Sequence, residues 1–150
     1  MPEMSLLGFI GHIATFDARL KHTLETDFKR VAVLVETEAK REIGTYQSAD
    51  GPFAGWPELA DATKDDRVKR GFNEDEPGLR TGDMRDSIHH ASDHEGAAIG
   101  SDDDKLVWFE LGTSKQPPRS VLGMAVVHEE QPIVEILGGS VVSALGFEPG

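Results

Sequence analysis

The sequence contains no cysteine. A disulfide scaffold, a thiolate zinc site and a cysteine nucleophile are therefore excluded, and a reducing compartment fits. Aromatic residues make up only 7% of the chain, which makes the cleft of a glycosidase hard to build in a domain of this size, although its Asp and Glu residues would be available. Positive charge is also scarce. Fifteen Lys and Arg face 27 Asp and Glu, a net charge of −12. A conventional DNA or RNA reader needs a basic stripe to displace counterions, and an anionic membrane repels such a chain. No run approaches the roughly 20 apolar residues of a membrane span. The start carries Glu3 where a signal peptide has a basic residue, and Gly8 and Gly11 break its apolar run, so no targeting segment is expected. Also missing are a Gly-x-Ser-x-Gly elbow, a Ser-x-x-Lys set with its partners and a phosphate-binding glycine loop. These absences lead to the expectation of a protein that is not an enzyme and needs no cofactor.

What is present suits one domain. With 150 residues and 38% hydrophobic content, one core can bury roughly 70% of the unfolded surface. The charge is uneven. Residues 1–48 hold 6 basic and 7 acidic residues, residues 49–104 hold 6 and 15, and residues 105–150 hold 3 and 5. The middle is thus acidic, rich in Gly and Pro, and loop-like.

Apolar residues at Ile13, Phe16, Leu20, Leu24, Phe28, Val31, Val35, Ala39 and Ile43 recur every three or four positions. This spacing predicts one helix over about 15–43, roughly 40 Å long. Thr15 or Asp17 is the candidate cap and Gly44 the natural stop. Residues 1–14 then form an arm, and residues 15–150 a single α+β domain whose loop-rich acidic middle covers 45–80. Within it, Glu58–Arg70 reads as a short polar helix and Gly71–Gly78 as an acidic loop. Ile88–His94 and Ala97–Gly100 read as two strands turning at Glu95-Gly96. Lys105–Leu111 and Ser120–His128 read as short helices, joined by an extended Pro-Pro linker. A last helix begins near Pro132, with a bend or break expected at Gly138-Gly139.

Two clusters suggest metal chemistry. His89, His90 and His94 lie close together beside Asp93 and Glu95, and a metal-dependent hydrolase would use them as ligands. Their spacing matches no known ligand pattern, and exposed hairpin histidines are the commoner case. Asp102-Asp103-Asp104 lacks the alternation, glycine and closing glutamate of a calcium loop, and reads as a turn or helix start. No metal ligand is assigned.

One series of segments is more specific. Trp56, Leu59 and Thr63 form a Trp-x-x-Leu-x-x-x-Thr stretch. Thr81, Gly82, Met84, Arg85, Ser87 and Ile88 form Thr-Gly-x-Met-Arg-x-Ser-Ile. Gly100 and Ser101 end a strand, Glu110, Gly112 and Thr113 follow as Glu-x-Gly-Thr, and Arg119 and Leu122 come last. Met84 and Ile88, four apart, share a helical face, which leaves Arg85 free for a carboxylate, with Glu110 the candidate partner, either in an ion pair that fixes the hairpin or in a bridge between subunits. Trp56 and Trp108 read as packing residues.

In order and spacing, residues 53–123 resemble the virion-morphogenesis proteins of tailed bacteriophages, the tail-completion and neck proteins. Trp108-Phe109 stands where that family has Tyr-Ala, and Ser120-Val121 where it has Pro-Phe. The resemblance implies an α+β subunit, with a long N-terminal helix packed on a small antiparallel sheet and short C-terminal helices. It also implies a homo-oligomeric ring, of six or twelve copies, at the neck of the virion, assembled in the host cytoplasm. Head connector or head-closure proteins would lie on one side, tail tube or tail terminator proteins on the other. Double-stranded DNA would pass through without specific binding. A tail terminator or head-closure subunit of the same particle is the alternative.

Overall fold

The structure, a computed structural model, describes residues 5–146. Six helices and one hairpin follow in order: α1 (Leu6–Glu42), α2 (Asp61–Lys69), α3 (Asp83–Asp86), β1 (His89–Ser92), β2 (Ala97–Gly100), α4 (Asp104–Leu111), α5 (Leu122–His128) and α6 (Glu130–Ala144). The two strands pair in one antiparallel sheet. The fold class is therefore α+β, with the long first helix, the small sheet and the C-terminal helices that were expected. Contacts group the described chain into two compact units. A first unit draws on α1 up to Ala32, on Ala91–Ala98 and on the chain from Gln131. A second takes Val33–His90 and Ile99–Glu130.

The apolar stripe of α1 is real, but the helix begins earlier than its spacing suggested. Ser5 starts it: its hydroxyl accepts from the Gly8 amide at 3.1 Å, and its carbonyl accepts from Phe9 at 2.9 Å. The first bond satisfies an orphan amide of the first turn and the second opens the helical ladder, so the expected arm is helical from Leu6 on. Residues 1–4 of that arm lie outside the described residues. Thr15 is no cap. Its hydroxyl donates back to Gly11 O at 2.9 Å, and Asp17 pairs with Lys21 at 3.2 Å. At the other end Gly44 holds φ +96°, a left-handed conformation that costs glycine nothing and stops the helix. Its amide donates to Pro77 O at 2.8 Å.

In the first unit α1 meets α6 through a polar link. Ser140 Oγ donates to Asp27 Oδ2 at 2.6 Å, and Arg30 holds the other carboxylate oxygen at 3.1 Å. Asp27, Val31, Ala32, Ser140 and Ala144 are buried. α6 runs as one helix through Gly138 and Gly139, where a break was expected. The two glycines cost helix propensity, but with proline absent there no backbone bond is lost. The hairpin turn is set by Asp93. Its Oδ1 accepts from the amides of Glu95 (2.7 Å) and Gly96 (3.1 Å), so the turn takes in Asp93–Gly96 and β1 stops at Ser92.

The second unit holds most of the core. Val35, Ala39 and Ile43 of α1 are buried, as are Trp56, Leu59, Met84, Ile88, Leu106, Val121, Met124 and Ala125. Glu36 of α1 reaches His90 of β1. α2 begins at Asp61 rather than Glu58 because the preceding backbone is engaged elsewhere. Leu59 N donates to the Tyr46 hydroxyl at 3.0 Å, and the Glu58 carbonyl accepts from Arg119. Asp103 caps α4, accepting from Lys105 N at 2.9 Å, so the Asp102–Asp104 run is the helix start its residues suggested.

Candidate functional site

The motif segments meet inside the second unit. Glu110, on α4, closes the N-terminus of α5. Its Oε1 accepts from Ser120 Oγ (2.7 Å) and Gly123 N (3.0 Å), and its Oε2 from Val121 N (2.6 Å) and Leu122 N (2.8 Å). One carboxylate thus satisfies three backbone donors where the helix dipole is positive. The expected Arg85–Glu110 pair does not form. Arg85 Nε instead donates to neighbouring Asp86 at 3.1 Å, and its guanidinium lies over Gly82. The reason is competition. The α5 amides saturate the Glu110 carboxylate, and Gly82 at φ +92° leaves room for the arginine that no Cβ would.

Arg119 takes the clamping role. It is buried, its Nε donates to Pro57 O at 2.8 Å and its Nη2 to Glu58 O at 2.8 Å, and it lies 5.7 Å from the Phe109 ring centre. Burial pulls its guanidinium below the ordinary arginine range. Trp56 Nε1 donates to Ser120 O at 2.9 Å, and its ring meets Phe109 edge-on at 6.0 Å. Trp56 is thus the packing residue expected, whereas Trp108 is 51% exposed. Met84 and Ile88 are both buried on one face, as their spacing required. Ser87 Oγ donates to Met84 O and meets Ser101 Oγ at 2.6 Å, which joins two motif segments. Gly112 ends α4 at φ +73°, where a Cβ would stand 2.7 Å from Pro118 N. Thr113 shapes the following turn by accepting from Lys115 N at 3.1 Å. Thr81 accepts from Asp83 N at 3.3 Å. Gly100 has open space where a side chain would stand, and nothing in the structure explains a glycine there.

Leu59, Thr63, Thr81, Gly82, Met84 and Arg119 also line a cavity of about 540 Å³. Its charge is opposite to that of the chain. Arg67, Arg80, Lys105, Lys115 and Arg119 border it against Glu58 and Asp83. Arg67 is buried, with Nη1 donating to the Leu79 (2.8 Å) and Asn73 (3.3 Å) carbonyls, and burial lowers its guanidinium's proton affinity.

A second constellation escaped the sequence reading. Glu38 and Glu42 stand four apart on α1, and His128 ends α5. His128 Nδ1 lies 2.9 Å from Glu38 Oε1 and 3.0 Å from Glu42 Oε1, and its Nε2 lies 3.6 Å from Asp50 Oδ2. Arg41 holds Glu38 with two bonds, at 2.8 and 2.5 Å, and keeps its carboxyl below the usual range. Glu42 is completely buried. Desolvation, with Glu38 beside it, pushes its carboxyl up to about 9. The available signal was the pair of carboxylates at i and i+4 on the border of an apolar stripe; nothing in the chain points from them to His128.

The histidines singled out from the sequence go to separate partners. His89 Nδ1 contacts Ser87 O at 2.8 Å, His90 contacts Glu36, and His94 is 3.9 Å from Glu95. Among the described residues, none of the three belongs to a group whose ligand atoms converge; Glu38, Glu42 and His128 do. No family model, curated protein or solved structure matches the chain.

Proposed function

We propose that this chain is a structural subunit of a tailed-phage virion, a neck, head–tail connector or tail-completion protein that forms a ring between head and tail. The observation that carries this reading is the apolar face of the first unit. Leu6, Leu7, Phe9, Ile10 and Ile13 are each between 49 and 82% exposed, and Val134 and Val141 of α6 and Leu145 just after it are exposed as well. Leu6, Ile10 and Ile13 recur at helical spacing, so they form a stripe rather than scattered single residues. A stripe of this kind marks a protein–protein interface. Closed cyclic symmetry sets it against a different face of the next copy. The motif segments support the reading in a second way: side chains of Trp56, Glu110 and Arg119 tie three of them together in the other unit, and Ser87 and Ser101 tie the remaining two.

A ring of such subunits works by geometry. One face meets the head connector and the other the tail, with DNA passing through. The net charge of −12 keeps phosphates from adhering to the wall. Among the described residues no helix is long and apolar enough to cross a membrane. A tail terminator or head-closure role in the same particle rests on the same stripe.

Electron microscopy of particles assembled without this protein tests the proposal. Full heads and finished tails left unjoined are the expected result. Normal, infectious particles overturn it.

A further inference from the structure

We infer that Glu38, Glu42 and His128 form a binding site for a divalent transition-metal ion, held through one carboxylate oxygen of each glutamate and Nδ1 of the histidine. The inference stands apart from the virion reading, because it concerns only the second unit and is tested on the purified chain.

The first argument is what the site leaves unsatisfied. Nδ1 of His128 can carry one hydrogen, and of the two glutamates only Glu38 is placed to share a hydrogen bond with it. Both Glu42 oxygens are buried without a hydrogen-bond partner, even though Oε1 stands 3.0 Å from Nδ1. An internal His128–Glu38 pair needs only one glutamate. It leaves a second carboxyl group fully buried and facing the same nitrogen with no hydrogen-bond partner of its own, an arrangement that without an ion avoids the cost of a buried charge only by keeping its proton. A cation placed among the three atoms satisfies all of them.

The second argument is geometric. Nitrogen and oxygen ligands at about 2.1 Å from a metal and at right angles to one another stand about 3.0 Å apart. The separations from Nδ1 are 2.9 and 3.0 Å, and all three ligand atoms lie within 4.8 Å of one another. Nδ1 therefore stands to each glutamate oxygen as one corner of a coordination polyhedron stands to its neighbour.

The third argument is the surrounding shell. A metal-bound histidine usually turns its other ring nitrogen to a carboxylate, and ligating carboxylates are themselves hydrogen-bonded. Asp50 stands 3.6 Å from Nε2, and Arg41 grips Glu38. A cleft of about 590 Å³, bordered by Glu38, Asp50 and His128, gives an entry path and room for water in the remaining coordination positions. One imidazole and two carboxylates suit Zn²⁺, Mn²⁺, Fe²⁺ or Co²⁺. An all-oxygen cage would instead have indicated Ca²⁺ or Mg²⁺. Bound there, the ion ties the end of α1 to the end of α5.

Chelator-treated, dialysed protein is titrated with Zn²⁺ by calorimetry and with Co²⁺ by visible absorption. One equivalent of each is expected, with the Co²⁺ bands of nitrogen and oxygen ligation. The thermal midpoint should rise with Zn²⁺ concentration, since the ion binds the folded chain. Glu42→Gln keeps the size of a neutral glutamate side chain and should weaken binding by at least about tenfold. His128→Gln should do the same. The His89→Ala/His94→Ala double variant should bind as the parent does. Absence of a stoichiometric site in the parent protein overturns the inference, as does undiminished binding in folded Glu42→Gln and His128→Gln proteins. Loss of binding in the double histidine variant also overturns it. The parent titration decides the matter even where a variant fails to fold.

Discussion

The two units solve the same problem differently. In the second, short elements are tied together by buried side chains that serve backbone groups: Glu110 on the α5 amides, Arg119 on the Pro57 and Glu58 carbonyls, Trp56 on Ser120 O. In the first, two helices meet through Ser140 and Asp27, and about half of their large apolar residues are exposed to water. Short helices are marginal alone and need such outside partners for their ends. Longer helices carry their own hydrogen bonds and can leave a face open. The second unit is thus built for a fixed shape, and the first leaves apolar surface for another chain.

The largest expected effect removes a tie in the second unit. Glu110→Ala strands three amides and the Ser120 hydroxyl, and should cost about 3 kcal/mol. Glu110→Gln, which keeps an acceptor, should cost less; equal losses in denaturant melts would show that packing, not capping, is at stake. Gly112→Ala forces a Cβ to 2.7 Å from Pro118 N at positive φ and should cost about 2 kcal/mol or more in the same measurement.

Glu42 sharpens the comparison through pH. Its carboxyl is raised from 4.5 to about 9 in the fold, so between those values the folded chain holds a proton that the unfolded chain has lost. Its contribution is full at low pH and falls as pH rises through that window, by at most about 1.4 kcal/mol per unit. In metal-free protein, Glu42→Gln should flatten the pH dependence and gain on the parent toward about pH 9. Denaturation midpoints measured across the range check this, and an unchanged slope refutes it.

The first unit should respond in the opposite way. Gly138→Ala and Gly139→Ala each meet open space inside α6 and should raise stability by about 0.5–1 kcal/mol apiece. Smallest of all is the effect of Phe9→Ser/Ile10→Ser on the melting of the isolated chain, near zero within about 0.5 kcal/mol. The same change should lower the oligomer mass seen by light scattering. A large drop in melting temperature with unchanged mass would mean that these residues pack within the subunit.

Much of the fold could be read from local spacing. The stripe from Ile13 to Ile43 gave α1 its face, Gly44 its end and Ala97–Gly100 a strand. The start of α1 was missed because Gly8 and Gly11 weigh against helix, while the Ser5 cap and the stripe outweigh them. The candidate site was half legible. Motif order pointed to Glu110 and Arg119 as structural or interface residues, and the charge pattern paired Glu110 with Arg85. Opposite charges at suitable spacing were visible in the sequence, whereas the amides of α5 competing for Glu110 were not.

The sequence by itself determined roughly where the helices lie, which face of α1 is apolar and where the chain turns, because those follow mainly from neighbours within a few positions. Only the tertiary structure decided which carboxylate serves which donor, why Glu42 is buried beside His128, and that five cations gather around one cavity in an acidic chain. The physical reason is that charge and hydrogen-bond partners are chosen by proximity in space. A group such as Glu42 has its chemistry set by the water it has lost, which no stretch of neighbouring residues records.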